Sequence, residues 1–310
     1  MTDIQATGTH IAVRTKQERI KEAELGAYAN NTHRAYEADL KVFTEWLEQN
    51  GSAEDGAATL VSFLKDMSQT KAPATLSRYL VSIRKELKLQ DKPDVTQDKE
   101  VVLTMRGIRR EKGTAQKQAK GLTANILHEL SSKLTDSPVD LRDIALLRLA
   151  RDTLARRSEL TAFNMDDFEQ DEDGRSFVLI RRGKTDQEGE GTIQFVSRHT
   201  MEAIEAYTKA VGIKEGPLFR RFYKGGKLGE RLDANRIPSI FKRLAQLVGV
   251  DPSNISGHST RVGMAQDLMR DGAALPALMH VGRWKTSRMP ARYTEQQAAG
   301  NSAVAQYYGK

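Results

Sequence analysis

The sequence contains no cysteine and few aromatic residues. Its 310 residues include no Cys, and Phe, Trp and Tyr together make up 6% of the chain. The absence of cysteine excludes disulfide bonds and cysteine metal sites, and it is typical of proteins in a reducing compartment. The low aromatic content argues against a large β-sandwich and favours a helical protein.

Long apolar segments are also missing. No run approaches the roughly 18 residues that a membrane-spanning helix needs, and the opening MTDIQATGTHIAVRTKQERIKEA lacks the apolar stretch of a signal peptide. We therefore expect a cytoplasmic protein with no membrane association. Positive charge is abundant, with a formal net charge of +7 at pH 7. Such a balance favours anionic polymers, nucleic acid among them, as partners.

Two familiar kinds of ligand site are not supported. Residues 183–185 (GKT) resemble the end of a phosphate-binding loop, but Val178 stands where that motif requires its first glycine. The six histidines are scattered and show no metal-ligand spacing. Acidic residues are concentrated at positions 166–173 and could hold a divalent ion, but clustered acids after a helix more often form a solvated loop. We predict neither a metal nor a cofactor.

Helical periodicity divides the chain into two regions separated by a basic segment. Tyr36, Leu40, Phe43 and Leu47 fall on one face of a helix, and three more helical segments follow before residue 111. Residues 112–120 lack apolar periodicity and are polar. The predicted organisation is a mobile arm over 1–28, a helical domain over 29–111, a basic linker over 112–120 and a second domain over 121–310.

The second domain is predicted to be mostly helical with one small sheet. The segments SFVLIRR and TIQFVS have strand-like patterns, and the polar stretch GKTDQEGEG joins them as the tip of a hairpin. The other long segments of this domain follow helical spacing. The sequence shows no internal repeat and no low-complexity tract.

A set of residues along this domain, taken together, is a more specific indication of function than any one of them alone. Each alone has an ordinary explanation, such as a surface ion pair three residues apart on a helix or a buried aromatic. The histidine and second arginine stand near a helix N-terminus, where backbone N–H groups favour an anion. In chain order the set is Arg156, Glu159, Lys184, His258, Arg261, Trp284 and Tyr293.

This order, with Tyr293 nine residues after Trp284, resembles the signature of the tyrosine recombinases. TLARRSEL is similar to the family's first-arginine box, and SGHSTRVGMAQDLMRDGAALPALMHVGRW to its second box, most closely in Cre-type phage and plasmid recombinases. ATLSRYLVSIRKEL and TMRGIRREKG resemble the Cre-type helical domain. The family usually has Gly and an apolar residue before its first arginine, where this chain has Leu154 and Ala155. We assign Arg156 rather than Arg157 because it places a Glu three residues later.

The resemblance implies a fold and a reaction. The fold is a mostly α, two-domain tyrosine recombinase. An N-terminal helical core-binding domain and an α-rich catalytic domain with a small β-sheet form a C-shaped clamp around DNA. The reaction is site-specific recombination of duplex DNA through a 3′-phosphotyrosyl intermediate, without ATP. Tyr293 would attack, Arg156 and Arg261 would clamp the phosphate, and Lys184 would protonate the leaving oxygen. His258 and Trp284 would add hydrogen-bond donors, and Glu159 would hold the geometry.

The expected partner is double-stranded DNA carrying inverted-repeat half-sites, bound by a homotetramer. After an Ala-Ala-Gly hinge at 298–300, the residues Ala303, Val304 and Tyr307 fall on one face of a predicted C-terminal helix that begins at about residue 301. The resemblance implies that this helix docks into a neighbouring protomer. Several polar and basic residues on helix faces are candidates for contacting DNA, and the alternative is that these faces are simply solvated. Those candidates are Thr75, Ser77, Arg78, Ser82, Arg106, Arg109, Arg110, Asn235 and Arg236.

Two other functions share parts of this pattern. A type IB topoisomerase-like relaxase would use the same chemistry within a monomer, but a tail able to link protomers argues against it. A non-catalytic DNA-binding protein of the same fold would not need the full polar set. We expect a recombinase, acting in the cytoplasm on the nucleoid.

Overall fold

A computed structural model describes residues 30–52, 56–115, 117–183 and 190–309. The predicted N-terminal arm and Lys184 lie outside these described residues. The chain divides into two compact units between Gln116 and Lys117. That position falls inside the 112–120 segment, while the finer boundaries and the clamp arrangement stay predictions.

The first unit is a small helical bundle. Its described helices are α1 (Asn30–Asn50), α2 (Gly56–Ser68), α3 (Pro73–Leu89) and α4 (Lys99–Lys112). Pro73 stands in the first turn of α3, where its missing N–H costs no hydrogen bond. The bundle closes around the fully buried Phe63, whose ring meets Phe43 and Trp46 edge-on at centroid distances of 4.9 and 5.5 Å. Such pairs combine apolar burial with favourable ring geometry.

A buried carboxylate joins α1 to α3. Asp39 is 1% exposed and accepts hydrogen bonds from the Arg78 guanidinium at 2.7 Å and from the Ser82 hydroxyl at 2.9 Å. A buried charge requires partners of this kind. Ser82 was predicted to face DNA, but it is 1% exposed and points into the bundle. The apolar stripe and the serine therefore share the inner face of α3, and this position is a correction to the sequence-based assignment.

The second unit is also mostly helical, which confirms the predicted fold class. Its described helices are α5 (Ala124–Ser131), α6 (Pro138–Asp152), α7 (Arg157–Ala162), α8 (Arg198–Val211), α9 (Ile237–Leu247), α10 (Ser259–Arg270), α11 (Leu275–Gly282), α12 (Arg288–Tyr293), α13 (Glu295–Gly300) and α14 (Ala303–Tyr308). Its described strands are β1 (Phe168–Gln170), β2 (Ser176–Ile180), β3 (Thr192–Val196), β4 (Arg220–Phe222) and β5 (Leu228–Arg231).

The strands form two small antiparallel sheets, one more than the sequence indicates. The predicted hairpin is present as β2 and β3, in a register that sets Phe177 opposite Phe195, and β1 extends it to the order β1-β2-β3. The pair β4–β5 forms the second sheet. Strands of three or four residues are too short to show an alternation of apolar and polar residues, so the sequence pattern does not predict them. The second sheet is fixed by distant partners instead, since Arg231 donates to the Thr161 carbonyl at 2.7 Å.

Helix α6 is the centre of the second core. Five of its apolar residues are at most 1% exposed, namely Ala145, Leu146, Leu147, Leu149 and Ala150. At its end the buried Arg151 pairs with Asp267 of α10 at 2.8 Å. Asp267 also accepts from the Ala124 amide at 2.7 Å and so caps α5. One ion pair therefore fixes three helices against each other.

The chain leaves regular helical geometry directly after α6. Helix α6 ends at Asp152, and Leu154 adopts φ 46°, in the left-handed region that side chains other than Gly rarely occupy. Leu154 is fully buried and its carbonyl accepts a hydrogen bond from Arg261, which stabilises this conformation. Arg156 consequently lies at the N-cap of α7 and not within a helix.

Two glycines let the start of the second unit cross α10 at close range. The Leu122 amide donates to the Ser259 carbonyl at 2.9 Å. A Cβ on Gly263 would lie 2.2 Å from the Leu122 carbonyl oxygen, and one on Gly121 would lie 2.9 Å from the Gly263 Cα. No side chain fits at either position without moving backbone.

The C-terminal tail also differs from its prediction. The Ala-Ala-Gly segment at 298–300 is helical within α13, and the chain bends after it at Asn301. The Ser302 hydroxyl accepts from the Ala305 amide at 3.3 Å and caps α14. Val304, Tyr307 and Tyr308 are 66%, 76% and 80% exposed. The apolar residues of α14 are therefore not buried against their own unit.

Gly263→Ala should destabilise the protein by about 1–3 kcal/mol, because the added methyl overlaps the Leu122 carbonyl. Urea unfolding of the whole chain measures this change. The matched control is Gly107→Ala, also within a helix but with nothing within 4 Å of the added carbon. The control should be neutral or slightly stabilising, and equal effects of both substitutions would contradict the close crossing.

Candidate active site

Glu159 lies between two arginines at the start of α7. Its two carboxylate oxygens accept from the Arg156 backbone amide and the Arg156 Nη1, each at 2.8 Å. Arg283, at the end of α11, donates from Nη2 to Oε2 at 2.8 Å. Glu159 is 4% exposed. The predicted pairing of Arg156 with Glu159 is present, in a capping geometry that also satisfies the amide at the start of α7.

Burial and the neighbouring arginines shift the pKa of Glu159 in opposite directions. Burial alone would raise the pKa of Glu159, but the positive charge of Arg283 and the hydrogen bonds from Arg156 outweigh it and hold that pKa below its ordinary value. Glu159 is therefore ionised at neutral pH, and its charge cancels that of one neighbouring guanidinium.

Arg261 is the most deeply buried arginine of the cluster. It is 3% exposed, donates to the carbonyls of Leu154 and Gly282, the latter at 2.8 Å, and stacks on the Trp284 ring at 4.7 Å from the centroid. Burial, together with the like charges of Arg156 and Arg283, lowers the pKa of Arg261 to about 10. The guanidinium is still cationic at neutral pH.

The cluster carries a net positive charge. It joins the guanidiniums of Arg156, Arg261 and Arg283 to the single carboxylate of Glu159. Forked guanidinium donors in a partly desolvated setting are well suited to phosphate oxygens. The arrangement can therefore bind a phosphate and stabilise further negative charge on it.

Tyr293 lies at the edge of this cluster. Its ring meets the Trp284 ring at 5.9 Å between centroids and an interplanar angle of 74°. Partial burial raises the pKa of the Tyr293 phenol, while Arg261, Arg292 and Arg156 act in the opposite direction and offset part of that rise. The phenol is protonated at neutral pH, so its use as a nucleophile requires a proton acceptor.

Two glutamines fix the backbone that carries Tyr293. The Tyr293 carbonyl accepts from Gln118 Nε2 at 3.3 Å and from Gln266 Nε2 at 3.2 Å. Gln266 lies on α10, and Gln118 lies in the segment that leads into the second unit. The next residue, Thr294, is fully buried. Helix α12 is thereby held at its C-terminal end, where Tyr293 lies.

The two other predicted catalytic residues are His258 and Lys184. His258 is exposed at the N-cap of α10, one turn before Arg261, and its backbone amide donates to the Ser256 hydroxyl at 3.1 Å. Lys184 lies outside the described residues. The structure therefore brings together Arg156, Glu159, Arg261, Trp284 and Tyr293, and it sets His258 at the start of the helix that carries Arg261.

The candidate DNA-contacting residues of the first unit lie on α3 and α4. Thr75 is partly exposed, Arg78 is held by Asp39, and the Ser77 hydroxyl accepts from Arg109 Nη2 at 3.0 Å. The Ser77–Arg109 contact joins the outer faces of the two helices. The exposed arginines of α4 are Arg106, Arg109 and Arg110.

A second basic surface lies in the other unit. Asn235 and Arg236 are exposed on the turn before α9, and Arg236 lines a cavity of about 630 Å³ beside the β4–β5 hairpin. The other basic residues that line this cavity are Arg142, Arg221, Lys224 and Arg231.

The sequence pattern misses three residues of the site. Arg283 directly precedes Trp284, which is the only local signal for it. Its backbone adopts φ 53° and its side chain donates to Glu159. Gln118 and Gln266 lie far from Tyr293 in sequence and have no motif of their own.

Metal and membrane sites can be assessed for the described ranges. Those ranges contain no group of three or more His, Asp or Glu side chains arranged to hold a metal ion. The acidic segment at 166–173 is engaged by arginines, since Arg175 pairs with Asp171 and Arg181 with Asp166 at 2.8 and 3.0 Å. Within the same ranges, none of the helices has the length and apolar character to span a bilayer.

Comparison with known proteins assigns the family. The sequence pattern of the phage integrase family matches residues 120–299, more than half of the chain. The chain belongs to the phage integrase family. A XerD homolog from Selenomonas ruminantium, an integrase/recombinase, is 28% identical over 281 residues, which cover 86% of this chain and 82% of the relative. Recombinase Cre of Escherichia phage P1 is 27% identical over 241 residues, or 72% and 70% of the two chains.

Solved structures of a recombinase and an integrase share the fold. XerH recombinase in a post-cleavage complex with a palindromic difH substrate has a TM-score of 0.64 at 15% identity, covering 89% of this chain and 80% of that one. A lambda integrase dimer on a COC′ core site has a TM-score of 0.60 at 13% identity, covering 90% and 94%.

The predicted tyrosine-type site-specific recombinase is confirmed at the level of family and enzyme class. Neither the relaxase nor the non-catalytic alternative is favoured by these relatives. The roles of individual residues stay predictions.

Glu159→Gln should lower the free energy of unfolding at pH 7 by about 3 kcal/mol, because breaking a buried ion pair leaves uncompensated charge. The folded-state pKa of Glu159 lies below the ordinary value of 4.5. Its stabilising effect is therefore complete above that value and is lost as the pH falls through the folded-state pKa. In urea unfolding between pH 7 and pH 3, the difference in unfolding free energy between wild type and Glu159→Gln should become smaller as the pH falls.

The exposed Glu172 provides the control, and Glu172→Gln should leave the unfolding free energy nearly unchanged at every pH. A gap between wild type and Glu159→Gln that stays constant from neutral to acid pH would contradict the ionised, paired state of Glu159.

Proposed function

We propose that this member of the phage integrase family cleaves one DNA strand with Tyr293 and rejoins it to a strand from a second target site. The observation that carries the proposal is the convergence of Arg156, Arg261 and Tyr293 in one half-buried, positively charged cluster. Arginine donors beside a tyrosine hydroxyl supply both the clamp and the nucleophile for a phosphodiester.

The attack forms a bond between Tyr293 Oη and phosphorus and breaks the bond from phosphorus to the 5′-oxygen. The phenol proton passes to a base, for which His258 is the candidate. The leaving 5′-oxygen takes a proton from a general acid, for which the sequence offers Lys184. The product is a 3′-phosphotyrosyl ester that retains the energy of the broken bond, so that rejoining needs no ATP.

Arg156 and Arg261 would stabilise the charge that builds on the non-bridging oxygens. A guanidinium has five N–H donors. Arg261 uses its two terminal nitrogens on the carbonyls of Leu154 and Gly282, which fixes its plane. Arg156 uses Nη1 on Glu159 and is more exposed, with 20% of its side chain accessible. The two residues therefore have donors left for a phosphate, and Trp284 adds its indole N–H.

Duplex DNA is the proposed partner. XerH is described on difH DNA, lambda integrase on a core site, and the Tn1549 transposon integrase on transposon right end DNA. The net charge of +7 and the exposed arginines of α4 support the same partner for this chain. Arg78 engages Asp39, so reading a base edge would require it to share or exchange that contact. Inverted-repeat half-sites and action on the nucleoid stay predictions.

A homotetramer assembled through the tail is the second part of the proposal. Helix α14 has only six residues and exposes Val304 and Tyr307. So short a helix gains its stability from packing rather than from its own hydrogen bonds. Docking into a neighbour, head to tail, would bury these residues and produce a cyclic assembly.

Tyr293→Phe should bind DNA as wild type does and form no covalent adduct, since the substitution removes only the attacking oxygen. The measurement is adduct formation on a nicked suicide substrate, resolved on a denaturing gel, beside a gel-shift titration. Tyr307→Phe and Tyr308→Phe are the matched controls and should retain the adduct. An adduct from the Tyr293 variant, or its loss from a control, would reassign the nucleophile.

Ending the chain after Gly300 should leave the thermal midpoint and half-site affinity nearly unchanged, because the residues of α14 bury little surface within their own unit. Cooperative binding of the second half-site and recombination should be lost. Gel-shift titrations on half-site and full-site DNA, with a recombination assay, test this. The double substitution Val304→Ser and Tyr307→Ser should reproduce the defect, and normal cooperativity in both variants would contradict docking between protomers.

A further inference from the structure

Arg283 has an unusual backbone for an arginine. At φ 53° and ψ 45° it occupies the left-handed region at the end of α11. Residues other than glycine, asparagine and aspartate are disfavoured there. Such conformations persist where the surroundings fix them, and they are concentrated at functional sites. Here the amides of Arg283 and Trp284 donate to the carbonyls of His280 and Met279, and the Arg283 side chain makes a further contact of its own.

The side chain of Arg283 is directed into the cluster. Only 11% of it is exposed. Its Nη2 lies 2.8 Å from Glu159 Oε2 and 3.5 Å from the Leu154 carbonyl. Its Nε is buried with no hydrogen-bond partner among the described residues. Desolvating a guanidinium to this extent is unfavourable unless a carboxylate compensates it. Glu159 supplies that compensation.

Glu159 is therefore held by Arg156 on one side and by Arg283 on the other. Oε2 receives the Arg283 guanidinium and the Arg156 amide, which leaves Oε1 directed at Arg156 Nη1. Without Arg283, only Arg156 would hold the carboxylate, which could then also turn towards the positive charge of the nearby Arg261. The direction of the Arg156 side chain would then be lost with it.

We propose that Arg283 is a positioning residue, which holds Glu159 so that the guanidinium of Arg156 is directed at the DNA phosphate. It acts through Glu159 and does not itself touch the phosphate, because its donating nitrogen is committed to the carboxylate and its side chain is less exposed than that of Arg156. This inference rests on the proposed function of the cluster in strand cleavage.

The test removes the guanidinium without straining the backbone. Arg283→Asn suits this purpose because asparagine tolerates the left-handed conformation. We expect the single-turnover rate of adduct formation on a nicked suicide substrate to fall about 10–100-fold, the usual effect of misdirecting a catalytic group. Half-site affinity should stay within about twofold of wild type. Arg283→Lys, which restores the cation beside Glu159, should recover part of the rate.

Two further readouts separate positioning from a general structural role. In a Glu159→Gln background, adding Arg283→Asn should reduce the rate by less than about threefold, because the residue through which Arg283 acts is already altered. The acidic limb of the pH–rate profile should move to higher pH in Arg283→Asn. Arg283 lowers the pKa of Glu159 against the effect of burial, while Arg156 and Arg261 are the other charged groups that face it.

Arg175→Asn is the matched control. It removes an arginine that also pairs with carboxylates, but at a site where 60% of the side chain is exposed, and it should leave rate, affinity and pH profile unchanged. Thermal unfolding verifies that each variant is folded. Arg283→Gly, which relaxes the backbone fully, replaces the Asn variant if that one unfolds.

The outcomes are distinct. No adduct from the wild-type protein would overturn the proposed function itself. A wild-type adduct with an unaltered rate in Arg283→Asn would overturn only the role of Arg283. A parallel loss of half-site affinity and rate would assign Arg283 to DNA binding instead. Full additivity of the two substitutions would show that Arg283 does not act through Glu159.

Discussion

The geometry of the site depends on the ion pairs that the carboxylate of Glu159 makes with Arg156 and Arg283. Guanidiniums gathered in a poorly hydrated space repel one another, and burial together with this repulsion lowers the pKa of Arg261 to about 10. Glu159 binds two of these arginines directly, at 2.8 Å each. It thereby allows the cluster to exist in the folded protein while leaving a net positive charge for a phosphate.

Local backbone geometry serves the same cluster. Leu154 and Arg283 both adopt left-handed conformations, and the carbonyls of Leu154 and Gly282 accept the two terminal nitrogens of Arg261. Gly282 has no room for a side chain, because an added Cβ would lie 2.0 Å from the Trp284 ring. The turns on either side of the site are thus shaped by the arginine and the tryptophan that they hold.

Helix α10 connects this cluster to Tyr293 and to the core. It begins beside His258 and carries Arg261, then Gln266, which holds the Tyr293 carbonyl, and Asp267, which pairs with the buried Arg151. A rigid helix that is anchored in the core can fix distances between several reacting groups at once. The second glutamine on the same carbonyl, Gln118, ties the entry segment of this unit to α12.

The sequence by itself determined the features that depend on local spacing. Periodicity predicted most helices and the β2–β3 hairpin, and the pairing of Arg156 with Glu159 followed from a separation of three residues. The chain order of the polar set, with the interval from Trp284 to Tyr293, suggested the family. Only the tertiary structure decided the burial of Ser82, the turn at Leu154 and the contacts of Gln118, 175 residues from Tyr293. Arg283 belongs with these, since its partner lies 124 residues away. Contacts of this kind arise when distant segments pack together, and no local pattern in the chain encodes them.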